Sequence, residues 1–151
     1  MKFKLLTIIS LAISITNSYT SAAEIRFESV TTGIQDNKEI FLENGKIKLS
    51  FNENGTLAAL GNKLTGETYQ INGDEFSIAT ENYRIYLSDT RLSSIEIKDE
   101  SIEAQYGLAG FTIVVRYTLK GEDNFAEKQI TLTTGFNYGL KDLIISEATL
   151  N

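Results

Sequence analysis

From residue 46 onward, apolar side chains fall on every second position in one short run after another, the period of a strand with one buried and one wet face. Ile47, Leu49 and Phe51 alternate with Lys46, Lys48 and Ser50. Tyr83, Ile85 and Leu87 alternate with Arg84, Tyr86 and Ser88. The longest run sets Phe111, Ile113, Val115, Tyr117 and Leu119 against Thr112, Val114, Arg116 and Thr118. Ile130 and Leu132 continue it between Thr131 and Thr133, and Leu143-Ile144-Ile145 closes the pattern. No stretch beyond residue 23 holds a helical stripe for three turns, so the expected class is all-β. Strands are predicted near 46–52, 83–88, 93–98, 101–106, 111–119, 126–133 and 142–149, after a polar lead-in from Glu24 to about Glu39.

Turn residues separate these runs. Asn-Gly tolerates positive φ at both central positions of a type I′ hairpin turn, and it occurs at Asn44-Gly45, Asn54-Gly55 and Asn72-Gly73, with Thr65-Gly66 and Lys120-Gly121 as weaker signals. Short polar links favour antiparallel neighbours in a meander. Val114 faces away from Ile113 and Val115, which suggests that part of the second face is covered too, as in a two-sheet sandwich rather than a single wet sheet. With no proline in the chain, edge strands must be guarded by charge, by bulges or by other protein.

The first 23 residues follow different rules. Lys2 and Lys4 precede an apolar run from Leu5 to Thr16, and small polar residues end at Ser21-Ala22-Ala23. That is the order of a helical secretory signal peptide, with an apolar run shorter than the roughly 20 residues that span a bilayer. Cleavage is expected after Ala23, in preference to an uncleaved anchor. Residues 24–151 then form one β-sandwich domain, secreted or periplasmic. Removing 23 of 151 residues, Lys2 and Lys4 among them, leaves 128 and moves the net charge from −6 to −8.

That charge, with no basic cluster after residue 4, argues against a nucleic-acid partner or, once the leader is cleaved, an anionic membrane surface. The chain has no cysteine and no histidine, which removes disulfides, thiolate metal sites and every mechanism with an imidazole base. No cofactor motif is present, and no metal site is expected.

The run Asn44-Gly45-Lys46-Ile47-Lys48-Leu49-Ser50-Phe51, then Asn54-Gly55-Thr56-Leu57, then Asn62-Lys63-Leu64-Thr65-Gly66-Glu67-Thr68-Tyr69 resembles the opening hairpins of a known domain. This is the N-terminal galactose-mutarotase-like β-supersandwich of large secreted bacterial glycoside hydrolases, including those of the α-galactosidase type. Val115-Arg116-Tyr117-Thr118-Leu119-Lys120-Gly121 and Phe125-Ala126-Glu127-Lys128-Gln129-Ile130-Thr131-Leu132 are similar to a later strand, turn and strand of such domains. The likeness covers about residues 41–150. It implies an exported module that binds carbohydrate and supports a catalytic domain normally C-terminal to it. Such domains are longer than this chain, which implies an incomplete sandwich, as does the halt at Asn151 directly after a strand-like run. Aldose-epimerase members use a histidine acid, so mutarotase activity is not carried over.

No catalytic residues are assigned. Asp74-Glu75, Asp99-Glu100 and Glu122-Asp123 are adjacent pairs beside predicted turns, and neighbours in a chain seldom converge on one bond; solvated turns are the better reading. Asn52-Glu53-Asn54-Gly55 only grazes a calcium-loop pattern. Sugar rings stack on aromatic planes while charged and amide groups clamp their hydroxyls. The candidates for that work are Arg84 and Tyr86, on the polar face of their strand; Arg116, on the polar face of the longest run; and Tyr106, beside Gly107 in an expected loop. The competing reading is a self-standing β-sandwich in adhesion or envelope structure.

Overall fold

In the computed structural model, which describes residues 6–14, 30–34, 40–82, 84–135 and 140–150, the alternating runs pair into two antiparallel sheets. The chain passes through β1 (Leu6–Ser14), β2 (Thr31–Ile34), β3 (Ile40–Glu43), β4 (Ile47–Phe51), β5 (Leu57–Asn62), β6 (Glu67–Thr80) and β7 (Arg84–Tyr86). A 3-10 turn at Leu87–Asp89 follows, then β8 (Arg91–Lys98), β9 (Ser101–Leu108), β10 (Phe111–Thr118), β11 (Phe125–Thr134) and β12 (Leu140–Leu150). The smaller sheet has the order β1-β11-β10-β9-β8, and the larger β12-β6-β5-β4-β3-β2, with β7 also paired to β6. Both meanders follow from the short links.

The sheets bury one common core. In the smaller sheet, Val115 lies between Ala104 and Ile130, and Tyr117 between Ile102 and Lys128; all of these are buried. In the larger sheet, Leu49 lies between Leu42 and Leu60, and Phe51 between Ile40 and Leu57. The rings of Phe51 and Tyr117 meet edge to face at 4.8 Å, and those of Phe76 and Tyr106 at 5.8 Å. Leu42, Leu49, Ile78, Ile102, Ile113 and Leu119 have no exposed surface; each such side chain contributes about 1.5–3 kcal/mol on burial. Val114 is half-buried on the outer side of β10. The exposed edge β8 carries Arg91, Glu96 and Lys98 and a bulge between Leu92 and Ser94, the guards that a proline-free edge requires.

Several elements differ from the sequence reading. Within the apolar run expected to be a leader helix, the described residues Leu6–Ser14 form strand β1, paired antiparallel to β11 from Leu6↔Leu132 to Ser14↔Phe125. Ile8, Ile9 and Ile13 are β-branched, and the edge of β11 offers unpaired backbone groups that such a segment can satisfy. The cleavage position after Ala23 lies outside the described residues, as does Tyr83. Part of the polar lead-in forms β2, which extends the larger sheet beside β3.

Asn72-Gly73 is no hairpin. It lies inside β6, with Gly73 at φ 73°, and three steps on β6 (Asn72 to Glu75) oppose two on β12 (Thr149 to Glu147). This is a bulge, where a glycine accepts the left-handed conformation. Because side chains alternate with a period of two, one extra residue reverses the faces beyond it. Thr68 and Gln70 are exposed before the bulge, and Asp74, Phe76 and Ile78 are buried after it. Asn44-Gly45 also turns by other means. Positive φ falls at Gly55, Gly66, Gly73 and Gly110 and not at Gly45. The Asn44 carboxamide oxygen instead accepts the N–H groups of Lys46 and Ile47 at 2.8 and 2.9 Å.

Candidate functional site

Two surface hollows and one interior cluster bring polar side chains together among the described residues. The larger hollow, about 380 Å³, crosses the outer face of the larger sheet. Its floor follows from strand register: Ser50 pairs with Ala59 and Ala59 with Gln70, while Lys48 pairs with Gly61 and Gly61 with Thr68. Small side chains on β5 sit between longer polar ones on β4 and β6, so the centre of the sheet is recessed. Phe41, paired with Ser50, extends the row, and the Lys48 ammonium lies 5.2 Å from the centre of its ring. A Cβ added at Gly61 would meet Lys48 Cβ at 3.5 Å and Thr68 Oγ1 at 3.9 Å, which puts all three on one face.

The second hollow, about 310 Å³, lies by the tip of the β4–β5 hairpin. Asn54, Glu75, Ser88, Thr90, Leu92 and Tyr106 contribute to its wall. Tyr106 is not in a loop, as expected from the neighbouring Gly107, but in β9, where Ile113 pairs with it. It is 3% exposed and its hydroxyl donates to the Asn54 carbonyl at 2.7 Å. Its inward parity with Ile102 and Ala104 was available in the sequence. Burial raises the phenol's pKa, and the nearby Asp74 charge adds to the shift.

The other candidates occupy two different surfaces. Arg84 and Tyr86 stand on one face of β7, with Ile85 buried between them. The Arg84 guanidinium donates to Ser77 Oγ at 2.9 Å and to Asp142 Oδ2 at 3.1 Å, tying β7 to β6 and β12. Tyr86 is 45% exposed. Arg116 belongs to the outer face of the smaller sheet, where Glu103 Oε1 accepts from Arg116 Nε and from Lys98 Nζ, both at 2.7 Å. Those two cations hold the Glu103 carboxyl below its usual range, the Lys98 hydrogen bond contributing most. The four residues therefore do not converge: Arg84 and Tyr86 lie on the larger sheet, Arg116 on the opposite side of the sandwich, and Tyr106 between the layers.

The acidic pairs separate as well. Asp99-Glu100 is the exposed two-residue link of the β8–β9 hairpin, as expected. Asp74 is the correction: the bulge at Gly73 turns it inward, away from exposed Glu75. There the Lys128 ammonium donates to its Oδ1 at 2.7 Å, with both side chains 3% exposed. The Leu57 N–H donates to Oδ2 at 2.9 Å, and the Tyr117 hydroxyl donates to the same oxygen. The Lys128 ammonium lies 5.4 Å from the centre of the Tyr117 ring. Burial lowers the lysine's pKa, opposed by the Asp74 charge, and raises that of Tyr117, helped by the same charge. Lys128 sits at the inward parity of Ala126 and Ile130, a signal the sequence carried. Among the described residues no group of three or more acidic side chains is placed to hold a metal ion.

No protein-family model matches the chain, and no curated protein matches it in sequence.

Proposed function

We propose that the chain is an exported, non-catalytic β-sandwich module that binds carbohydrate on the outer face of its larger sheet and supports a glycoside-hydrolase-type catalytic domain. The observation that carries this reading is the recess at Ser50, Ala59 and Gly61. A shallow trough lined by hydroxyl, amide and ammonium groups over a small-residue floor suits a chain of neutral sugar rings, which presents many hydroxyls and little charge. Arg84 and Tyr86, on β7 of the same sheet, extend the reading to a second contact for a longer glycan. The order of charges and small residues at the N-terminus supports export, and the strand and turn likeness at 44–69 and 115–132 supports the sugar-handling context.

Screening against plant and host oligosaccharides, followed by calorimetric titration, tests the reading. Micromolar to millimolar binding of at least one neutral glycan is the expected result. Flat responses from protein with a cooperative unfolding transition would remove the binding role.

A self-standing role in adhesion or envelope structure is the second reading, favoured by the core that the two sheets close within this chain. It predicts monodisperse protein with no glycan response, whereas an incomplete sandwich would bind hydrophobic dye and self-associate.

A further inference from the structure

The Asp74–Lys128 pair has a geometry that ion pairing alone does not require. The two residues are 54 apart in sequence and sit on facing sheets, β6 and β11, with both side chains shut off from solvent. The two carboxylate oxygens have different surroundings. Oδ2 accepts from the Leu57 N–H and the Tyr117 O–H, while Oδ1 faces Nζ at 2.7 Å. One oxygen is thus held by two neutral donors, as a developing oxyanion would be, and the other lies next to an amine.

We propose that Lys128 Nζ and Asp74 Cγ join in an intramolecular amide bond that staples the two sheets together. Within the pair, Nζ passes one proton to Oδ1, giving a neutral amine beside a neutral carboxylic acid. Burial favours this exchange, since a dry, low-dielectric core penalises separated charges. The nitrogen lone pair then attacks Cγ, and the N–C bond forms while Oδ2, held by Leu57 and Tyr117, takes up the negative charge. The Cγ–Oδ1 bond breaks, and Oδ1 leaves as water with a second proton from Nζ. Oδ2 remains as the amide carbonyl and keeps both donors. Atoms balance as amine plus acid to amide plus water; nothing is oxidised, and no co-reactant is needed. Fixed proximity replaces the activation that amide formation needs in solution, and the burial of both side chains, 3% exposed, keeps water from reversing the step. In a chain without cysteine, the link would constrain the unfolded state as a disulfide does.

The test is the intact mass of the purified full chain under denaturing conditions, referred to the N-terminus found by peptide mapping. The expected mass is lower than the residue sum by one water, and digestion yields one branched peptide joining the Asp74 and Lys128 segments. Lys128→Arg, which cannot form the link, should carry the full mass. Asp74→Asn should lose one ammonia in place of water. A wild-type protein that unfolds cooperatively and carries the full residue mass overturns the proposal, as does an equal deficit in Lys128→Arg.

Discussion

The hydroxyl of Tyr106 on β9 donates to the carbonyl of Asn54 at the tip of the β4–β5 hairpin, 2.7 Å away, so one hydrogen bond pins a turn of the larger sheet onto the smaller. The next residue explains why that approach is possible. A Cβ at Gly55 would stand 2.6 Å from Ala104 Cβ and 2.9 Å from Tyr106 Oη, and Gly55 sits at φ 81°. Gly55→Ala should therefore destabilise the fold by about 2–5 kcal/mol, from left-handed strain and overpacking together. Tyr106→Phe should cost about 0.5–1.5 kcal/mol, the net worth of one hydrogen bond, because the Asn54 carbonyl stands at an exposed turn where water can replace the hydroxyl. Urea unfolding of the two variants measures both, and the ranking is the sensitive part.

Asn44 joins the sheets at another point. It is 2% exposed, and its amide nitrogen donates to the carbonyls of Lys120 and Asp123 at 2.8 and 2.9 Å, while its oxygen organises its own turn. Asn44→Asp keeps the acceptor and loses both donors, facing a carboxylate toward two carbonyls. We expect it to lose about 2–3 kcal/mol, as much as Asn44→Ala. Full retention of stability by Asn44→Asp in a denaturant melt would refute the bridging role.

Tyr106 and Tyr117 ionise late because burial raises both phenols. A group whose folded pKa is raised contributes stability that is fully present below its unfolded value, near 10, and is lost as pH rises through the folded value. The melting temperature should fall above about pH 10, and the phenolate absorbance of these two residues should appear only with unfolding. Each Tyr→Phe variant removes one late-titrating group from the spectrum.

On the smaller sheet, Arg116 acts through Glu103. The depressed carboxyl gives stability present above the ordinary carboxylate range and lost as pH falls through the folded value. Arg116→Ala should cost up to about 1 kcal/mol at neutral pH and flatten the acid limb of the stability profile. Glycan affinity should not change, because Arg116 lies on the far side of the sandwich from the trough.

Strand period was the most legible property of the sequence. Phe111 to Tyr117 alternates without interruption, and β10 is accordingly central, flanked by β9 and β11. The bulge at Gly73 was hidden because Asn-Gly has two uses, a hairpin turn or one left-handed residue inside a strand, and only pairing with β12 decides between them. With the bulge unseen, Asp74 read as solvated and its partner had no address. Lys128 was the recoverable signal: a lone charge at inward parity between Ala126 and Ile130 requires a buried counter-charge. The trough was out of reach for another reason. Ser50, Ala59 and Gln70 are a row only in register, and register is set by turns whose geometry Asn44 and Gly55 reach in different ways.

The most direct measurement compares glycan titrations of the wild-type chain and Gly61→Val. The new side chain fits an extended backbone, meets nothing nearer than Lys48 Cβ at 3.5 Å, and fills the recess without disturbing the core. We expect measurable binding by the wild type and at least a tenfold loss in a Gly61→Val protein of unchanged or higher stability, roughly 1.4 kcal/mol of affinity. Equal affinity in the two proteins would contradict it.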